Sequence, residues 1–519
     1  MKNKILFLIS LSFLLISCNN FLDEMPDNRA EIDSKQKIQK LLVSAYPLMS
    51  HWCITEYYSD NTDDNGKLFA TDFEIEQPYF FWSDNIDAIY QDTPQSIWDG
   101  CYSAIAASNH ALRAIDELGN EDGNLNAEKG EALITRAYGH FILVNVFCKH
   151  YNSISSSADL GIPYMEKPET EVNPDYSRGT VAEVYQKINA DIEAALSLIQ
   201  DDLYSIPKYH FNKRAAYAFA ARFNLYYENY DNTIKYADLV LGTTNASALS
   251  VLRNWQAFGS AGSEVRSNVF IDASNPANLL IRPAVSYWGA LYGPYMLGNR
   301  YAHNQIISEN ETMHSTGVWG AYTNFYARPT TLTQGLPKYV FWKQDLIFEE
   351  LDAIGGTGYY QLVHIDFTTD ETLLCRAEAY IHKKLYDNAL SDINLFLTAF
   401  ARQTTPVTAA IINNFYSTMP YYTPKSPTAK KRLNPDFPIE EGQQENFIQC
   451  LLHTRRILTL HEGLRWFDIK RYGIEVNRRK VETGFVTVYD DMLSKDDLRR
   501  AIQLPKNVIS AGLEPNPRN

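Results

Sequence analysis

The sequence predicts an all-α scaffold of stacked helical hairpins, broken by one large irregular insertion and closed by a C-terminal region of helices and loops. Three observations predict this class. Apolar residues recur every three or four positions in several segments, the period of a helix with one buried face. Two of these segments, residues 214–243 and 370–399, align with each other without gaps. Between them, over residues 244–367, the periodicity fails and Gly, Asn, Ser and Tyr accumulate. At 519 residues, 45% hydrophobic and 21% charged, the chain has the balance of a globular protein with a sizeable core. Its 47 Lys+Arg against 62 Asp+Glu give a net charge of -15, which disfavours binding to a phosphate backbone because that needs clustered cations. The unusual number is aromatic: 34 Tyr, 25 Phe and 8 Trp, 13% of the chain.

The first element is an address. Lys2 and Lys4 precede an apolar run from Ile5 to Ile16 and then Ser17, the layout of a signal peptide over residues 1–17. The run of about 12 residues is too short to span a bilayer, which takes about 20. Leu15-Ile16-Ser17-Cys18 resembles a bacterial lipobox. Cleavage before Cys18 and acylation of its sulfur are therefore expected, holding the protein on a membrane it does not span. Cleavage removes two lysines and no acids, and 45 minus 62 leaves a mature charge of -17. Acyl chains, not charge, would provide the attachment. Of the five other cysteines, Cys53, Cys101, Cys148, Cys375 and Cys450, the closest two are 47 positions apart, so no CxxC metal or redox pair exists. Three fall on apolar faces of predicted helices, where a thiol acts as a small hydrophobe; a distant disulfide stays open.

The helices follow in order. Trp98, Tyr102, Ile105, Asn109, Leu112 and Ile115 lie on one stripe after Thr93-Pro94, an N-cap with proline in the first turn. Leu133, Ala137, Phe141, Val144 and Cys148 repeat the period. Val181, Val184, Ile188, Ile192, Ala195 and Ile199 follow Thr180-Val181-Ala182-Glu183, a capping box. The aligned pair places Tyr230-Asp231-Asn232 over Tyr386-Asp387-Asn388, Ala221 over Ala377 and Leu241 over Leu397, as helix, short turn, helix. Tyr380, Tyr386, Ala389 and Leu397 match the tetratricopeptide pattern, from which the first copy departs at Asn224 and Thr233. A hairpin of this kind cannot bury its face alone. The segments 98–118, 131–149 with 180–199, 214–243 and 370–399 are thus expected to stack as about four tetratricopeptide-like helix pairs. The expected organisation is one compact globule. It has an N-terminal region over 18–243 and a C-terminal region over 244–519. The latter divides into the insertion at 244–367, a hairpin at 368–402, and loops and terminal helices at 403–519. Proline-rich 403–445 is expected to be irregular, with helix returning over 445–472.

Several motifs, in order along the mature chain, carry a family resemblance. They are Trp98-x3-Tyr102-x2-Ile105-x3-Asn109, then Gly130-Glu131-Ala132-Leu133-Ile134-Thr135-Arg136-Ala137-Tyr138-x2-Phe141, and Gly161-Ile162-Pro163-Tyr164. Arg178-Gly179-Thr180-x2-Glu183-Val184-Tyr185 is another. The most specific is Glu462-Gly463-Leu464-Arg465-Trp466-Phe467-Asp468-Ile469-Lys470-Arg471-Tyr472. Together they resemble the SusD/RagB family of outer-membrane lipoproteins. Thr454 and Leu458 stand where members often carry Glu, and the tail from Leu504-Pro505 to Asn516-Pro517 matches only loosely. Asp23-Glu24 resembles the surface-export signal of Bacteroidetes lipoproteins. The resemblance implies a tetratricopeptide-containing all-α fold whose irregular region bears a glycan site. It also implies a place on the outer face of the outer membrane beside a TonB-dependent (SusC-like) transporter, over which the protein acts as a hinged lid. It implies neither catalysis nor a cofactor.

Residues 285–343 hold 12 aromatics among 59 positions, about 20% against 13% overall, and only six charged residues. Sugars present flat C–H patches edged by hydroxyls, so rigid aromatic faces with a few polar neighbours suit them. The alternative is that these rings fill the core of a helix-poor insertion; about half are expected to be buried. Trp288, Trp319, Tyr322 and Tyr326, with Tyr287, are the expected stacking residues, and Asn299 and Arg300 the expected hydroxyl contacts. The loop 57–82 is expected to contribute Asp60, Phe81 and Trp82. Asn61-x-Asp63-x-Asn65-Gly66-x5-Asp72 resembles a calcium loop, but Asn61 and Asp72 replace the usual Asp and Glu, so a polar turn is preferred. The ion-rich run 455–471 reads as a helix tied to neighbours through Arg465 and Asp468. Gly355-Gly356-Thr357-Gly358 lacks the lysine of a phosphate loop, His461-Glu462 lacks the second histidine of a zinc-protease helix, and no GxSxG elbow occurs. The expected function is a non-catalytic, surface-anchored glycan-binding lipoprotein that hands oligosaccharide to a transporter. The alternatives are a tetratricopeptide scaffold for a protein partner and, less favoured, a glycoside hydrolase. The acidity points to a neutral ligand before an anionic one and away from nucleic acid.

Overall fold

The computed structural model describes residues 32–518 except 72, 85, 87, 89, 170–175, 263–264, 294–298, 329, 332–336, 353, 403–404 and 483–484. The expected signal peptide, Cys18, Asp23-Glu24, Asp72 and Tyr295 lie outside the described residues.

Helix α1 (Lys35–Leu42) sets Ile38 and Leu42 into a small second core made with Ala111, Ala114 and Ile115. Helix α2 (Trp52–Tyr58) is buried on every side and leads to the two-residue strand β1 (Asp63–Asp64). Helix α3 (Pro94–Leu118) begins where the Thr93 side chain accepts the Ser96 N–H and Ser96 returns the bond, and it stops at left-handed Gly119 (φ 78). The next helix, α4 (Asn126–Phe147), is buried almost all round, and α5 (Val181–Leu196) starts on the Thr180–Glu183 capping box (3.2 and 2.8 Å). Arg136 of α4 donates to both Asp191 oxygens of α5 (2.7 and 2.7 Å) and to Asn109 of α3 (3.0 Å), so one buried guanidinium ties three helices.

The two aligned segments fold as hairpins, α6 (Lys213–Tyr226) with α7 (Tyr230–Leu241) and, further along, α8 (Thr369–His382) with α9 (Tyr386–Phe400). Their turns match in backbone as well as sequence: Glu228 (φ 60) and Lys384 (φ 58) each stand two residues before the second helix in the left-handed region. Ala221 and Ala377 are both fully buried, and α8 packs against both α9 and α7.

The all-α expectation is corrected by three small sheets among the described residues. Strand β2 (Asn278–Val285) pairs antiparallel with β5 (Thr357–Thr368), which also pairs with β4 (Ile347–Asp352), giving the order β2-β5-β4. Gly355-Gly356-Thr357-Gly358 lies at the β4–β5 turn, with Gly356 at φ 61. The helical period fails in the insertion partly because these segments are strands. Strand β2 is buried along nearly its whole length, so it shows no amphipathic alternation either. A second sheet has the order β3-β1-β6-β7, with β3 (Tyr301–Ala302), β6 (Val476–Glu482) and β7 (Phe485–Leu493). Thr330–Thr331 pairs with Tyr339–Val340 in the third. Residues 403–445, expected to be irregular, contain the helix Ala409–Thr418.

The C-terminal helices are buried, α10 (Gln443–Leu458) from Asn446 onward and α11 (Arg465–Arg471) throughout. Gly463 (φ 69) joins them where a Cβ would lie 2.3 Å from Thr55 Oγ1, so only glycine fits. The expected ties form: Asp468 accepts from Arg455 (3.0 and 2.6 Å) and Arg465 donates to Asp60 (2.8 and 2.9 Å). Cys53, Cys101, Cys148, Cys375 and Cys450 are buried free thiols. No helix among the described residues is long and apolar enough to cross a membrane.

Candidate functional site

Three separate segments bring a row of rings to the surface: the β4–β5 hairpin, the stretch after β2 and the chain before α3. Phe348 and Tyr360 face each other across the β4–β5 register, with ring centroids 5.2 Å apart. Tyr360 stands 5.3 Å from Tyr287, which stacks on Phe73 at 4.9 Å and 24° and meets Tyr90 edge-on at 6.2 Å. Phe348 is 46% exposed, and Phe73, Tyr90, Tyr287 and Tyr360 are half-buried. The row starts on a small sheet at Phe348 and Tyr360 and runs to Phe73 and Tyr90, which pack against the main core.

Local bonds hold the row. Beyond the end of β2, the Ser286 N–H donates to the Tyr360 carbonyl (3.1 Å), which sets Tyr287 beside Tyr360. The Asp92 carboxylate accepts the Tyr287 N–H (2.7 Å) and the Ser286 hydroxyl (2.6 Å), while the Thr93 hydroxyl donates to the Tyr90 carbonyl (2.8 Å). The same Thr93 that caps α3 therefore also fixes Tyr90. Asp92 is fully buried and left-handed (φ 65). Burial pushes its carboxyl up to about 7, and its hydrogen-bond donors Ser286 and Tyr287, both neutral, offset this only in part. Gly358, opposite Glu350, leaves room for the Phe348 ring: a Cβ there would sit 2.7 Å from Phe348 Cζ and 2.1 Å from the Glu349 carbonyl oxygen.

Of the residues expected from sequence, Tyr287 alone joins this row. Trp288 is fully buried, donates to the His461 carbonyl (2.8 Å) and packs on Tyr57 and Tyr292. Trp319 is 3% exposed between Phe325 and His453. Trp82, 1% exposed, donates to the Tyr58 carbonyl (3.0 Å) and lies under the Arg478 guanidinium. These three are core residues with occupied faces, which corrects the expectation that they stack on ligand. Asn299 is buried and donates to the Tyr57 hydroxyl (2.9 Å) and the Tyr301 carbonyl (2.8 Å). The Asp60 carboxylate is held by Arg465, with Lys431 at 3.3 Å and Arg456 at 3.4 Å, and although Asn299 Oδ1 has no hydrogen-bond partner among the described residues it is buried, so neither residue presents a polar group at the surface. Of the 11 described aromatics in 285–343, seven are buried and Tyr287, Tyr322, Tyr326 and Tyr339 are half-buried, a larger core share than the expected half.

Arg300 and Phe81 fall together in a second group. Arg300 donates to both Asp64 oxygens (2.7 and 2.6 Å), the Tyr489 hydroxyl donates to Asp64 (2.5 Å), and Phe81 meets Tyr489 edge-on at 5.1 Å. Nearby, Asn65, Leu68, Phe69, Pro337, Val481 and Glu482 line a hollow of about 340 Å³. Tyr322 meets His314 edge-on at 4.4 Å, and Tyr326 has Arg402 above its ring at 5.8 Å. Neither tyrosine touches the row. The calcium alternative fails on charge: Asn61 Oδ1 accepts from Arg456 (2.8 Å) and both Asp63 oxygens from Arg479 (2.9 and 2.8 Å), so guanidinium groups occupy the place of a cation. A larger cleft of about 1140 Å³ runs along the middle of α3, from Trp98 to His110, but Trp98 and Tyr102 pack on each other there (4.9 Å) and Trp98 is 7% exposed.

Sequence reasoning missed Tyr90, Phe348 and Tyr360, and placed Phe73 only within a loop. The available signal was the Gly-rich turn at 355–358 flanked by Ile347-Phe348 and Tyr359-Tyr360, which is a hairpin pattern.

Fold and surface together define a helical scaffold that displays an aromatic row starting on a small sheet. The sequence model of a SusD-like family, described as starch-binding and associating with the outer membrane, matches residues 20–225. SusD-like protein P38 of Formosa agariphila is 24% identical over 508 residues, covering 90% of each chain. A solved putative sugar binding protein of Bacteroides vulgatus is similar with a TM-score of 0.65 at 18% identity, covering 94% of this chain and 99% of that one. A SusD superfamily protein of Bacteroides thetaiotaomicron gives 0.61 at 17%, covering 93% and 99%. Residues 20–225 thus carry the sequence pattern of a SusD-like family, and the chain shares the fold of SusD superfamily proteins over nearly its whole length.

Proposed function

We propose that the protein is a non-catalytic glycan-binding lipoprotein and that the row Phe348–Tyr360–Tyr287–Phe73 is its sugar platform. The carrying observation is four rings from three separate segments meeting side by side at the surface, with Tyr287 fixed through its backbone by buried Asp92. Rigid rings stack on the C–H faces of sugars with little loss of entropy, and exposed Glu350 beside the row accepts hydroxyl hydrogen bonds. The family description as starch-binding and a neighbour described as sugar binding support this reading. The lipobox at Cys18, with residues 1–17 as signal peptide, would anchor the mature chain to the outer membrane facing the exterior. A TonB-dependent transporter would receive the ligand. The repeated hairpins α6–α7 and α8–α9 would act as the tetratricopeptide-like scaffold.

Calorimetry of the purified protein against a panel of neutral polysaccharides tests the platform. Binding to at least one is expected, weakened about tenfold by Tyr287→Ala, or about 1.4 kcal/mol. A folded protein that binds none of them overturns the reading. The alternative, a scaffold for a protein partner without sugar binding, draws support from Leu351 (71% exposed) and Ile354 (101% exposed) near the tip of the β4–β5 hairpin. It would leave the transporter co-purifying and every glycan ignored.

A further inference from the structure

We propose that the aromatic row selects an uncharged glycan and turns away polyanionic chains bearing uronate or sulfate groups; this rests on the reading of the row as a glycan platform. All the segments that build the row lack cations. No Lys or Arg occurs in residues 68–112, which supply Phe73 and Tyr90, in 283–299, which supply Tyr287, or in 344–375, which supply Phe348 and Tyr360. Of the six basic residues that bracket these segments, five are paired with acids, Arg113 with Glu117, Arg282 with Asp366, Arg300 with Asp64, Lys343 with Glu462 and Arg376 with Asp392, while the sixth, Lys67, is exposed next to Glu482.

Asp84, Asp366 and Glu371 of the same segments are paired with Arg518, Arg282 and Arg222, but four exposed acids are not neutralised. Glu74, Glu349, Glu350 and Asp352 are exposed and form no ion pair among the described residues. Glu350 lies two residues from Phe348 on the same strand face, and its cross-strand neighbour is Gly358, which has no side chain to cover it. Glu349 accepts from Gln361 (3.1 Å), so its carboxylate is held at the edge of the hairpin. The row therefore sits in a field of one sign. A glycan carboxylate or sulfate stacked on Tyr360 would come within a Debye length, about 8 Å at physiological salt, of Glu350, its diagonal cross-strand neighbour. Each repulsion is small in water, but a polyanion repeats it at every charged residue. A neutral sugar meets no such repulsion, and its hydroxyls donate to the same carboxylate.

Affinity electrophoresis of the full chain tests this with soluble starch, dextran and laminarin as neutral polymers. Carboxymethyl starch, dextran sulfate and polygalacturonate serve as anionic ones. At least one neutral polymer is expected to retard the protein, with the effect lost in Tyr287→Ala. No anionic polymer is expected to retard it at 0.05 M salt. The double variant Glu349→Lys/Glu350→Lys is expected to gain retention by the anionic polymers severalfold and to lose that gain at 0.5 M salt. Tyr287-dependent retention by an anionic polymer at least as strong as by every neutral one overturns the selectivity. So does a charge reversal that leaves anionic binding unchanged. Retention by no polymer of either kind defeats the platform reading itself.

Discussion

Tyr287 and Trp288 are neighbours in sequence and opposites in environment: one lies half-exposed in a row of rings, the other is fully buried against Tyr57, Tyr292 and His461. Alanine should therefore act differently at each. Trp288→Ala opens a cavity beneath the helix turn Trp288–Tyr292 and should lower stability by about 3–5 kcal/mol. Tyr287→Ala should change stability by less than about 1 kcal/mol and weaken glycan binding instead; denaturant unfolding beside calorimetry separates the two. Asp92 adds a pH dependence. Its folded-state pKa of about 7 lies above an unfolded value of about 3.9, so the folded state holds a proton the unfolded state releases earlier. Its stabilising contribution is full below the lower value and is lost as pH rises through 7. Glu56, also pushed to about 7 by burial, gives the same trend, so only a variant isolates Asp92. The stability difference between wild type and Asp92→Asn should shift in favour of Asn as pH rises from 5 to 8. A difference that stays flat across that range would show the proton is held elsewhere.

At the level of elements, the β4–β5 hairpin is the part of the site with the least support behind it. All six residues of β4 are exposed and the strand is an edge, so Phe348 is held mainly by its register with Tyr360 and by the space above Gly358. Gly358→Val would drive a side chain into the Glu349 carbonyl and the Phe348 ring. Amide exchange should rise across β4 and the first half of β5, and glycan affinity should fall, while the global unfolding midpoint moves little. Unchanged exchange in β4 would mean that the hairpin shifts without opening. This contrast also explains what was legible in the sequence. Helices α3 and α5 announce themselves through caps a few residues long, Thr93-Pro94 and Thr180 with Glu183, and the paired hairpins through a shared turn at Glu228 and Lys384. The row has no such local signature. Tyr287 meets Tyr360 through strand register and Phe73 through tertiary packing, and both arise from contacts between distant segments. A tryptophan-rich insertion looks the same in sequence whether its rings are core or surface, and here Trp288 and Trp319 fill the core.

Across the whole molecule, the ends of the chain are joined by buried charge. Asp60, Asp63 and Glu311 meet Lys431, Arg456, Arg465 and Arg479, linking the loop after α2, the helix Gln305–Glu311, α10, α11 and β6. Glu311 is the hub, accepting from Lys431 (2.6 Å), Arg456 (3.0 Å) and Arg479 (3.1 Å). Burial raises its carboxyl, but Lys431 first, then Arg479 and Arg456, overcome this and bring it to about 2; burial wins at Asp63, which is raised. The sign follows from the depression: unfolded Glu311 titrates near 4.3, so its contribution is present above that value and is lost as pH falls toward 2. Glu311→Gln leaves three buried cations without their shared counter-charge and should cost about 3–5 kcal/mol at pH 7. The penalty should shrink as pH is lowered through 4 to 2, because the wild type then loses the same charge. In a double-mutant cycle, Glu311→Gln/Lys431→Met should cost less than the two single changes added together, since each removes the other's unpaired partner. Denaturant unfolding at pH 7 and pH 3 measures all of these. Additive penalties that do not vary with pH would mean that the cluster is held by packing, and that its charges contribute to neither the stability nor the joining of the two ends.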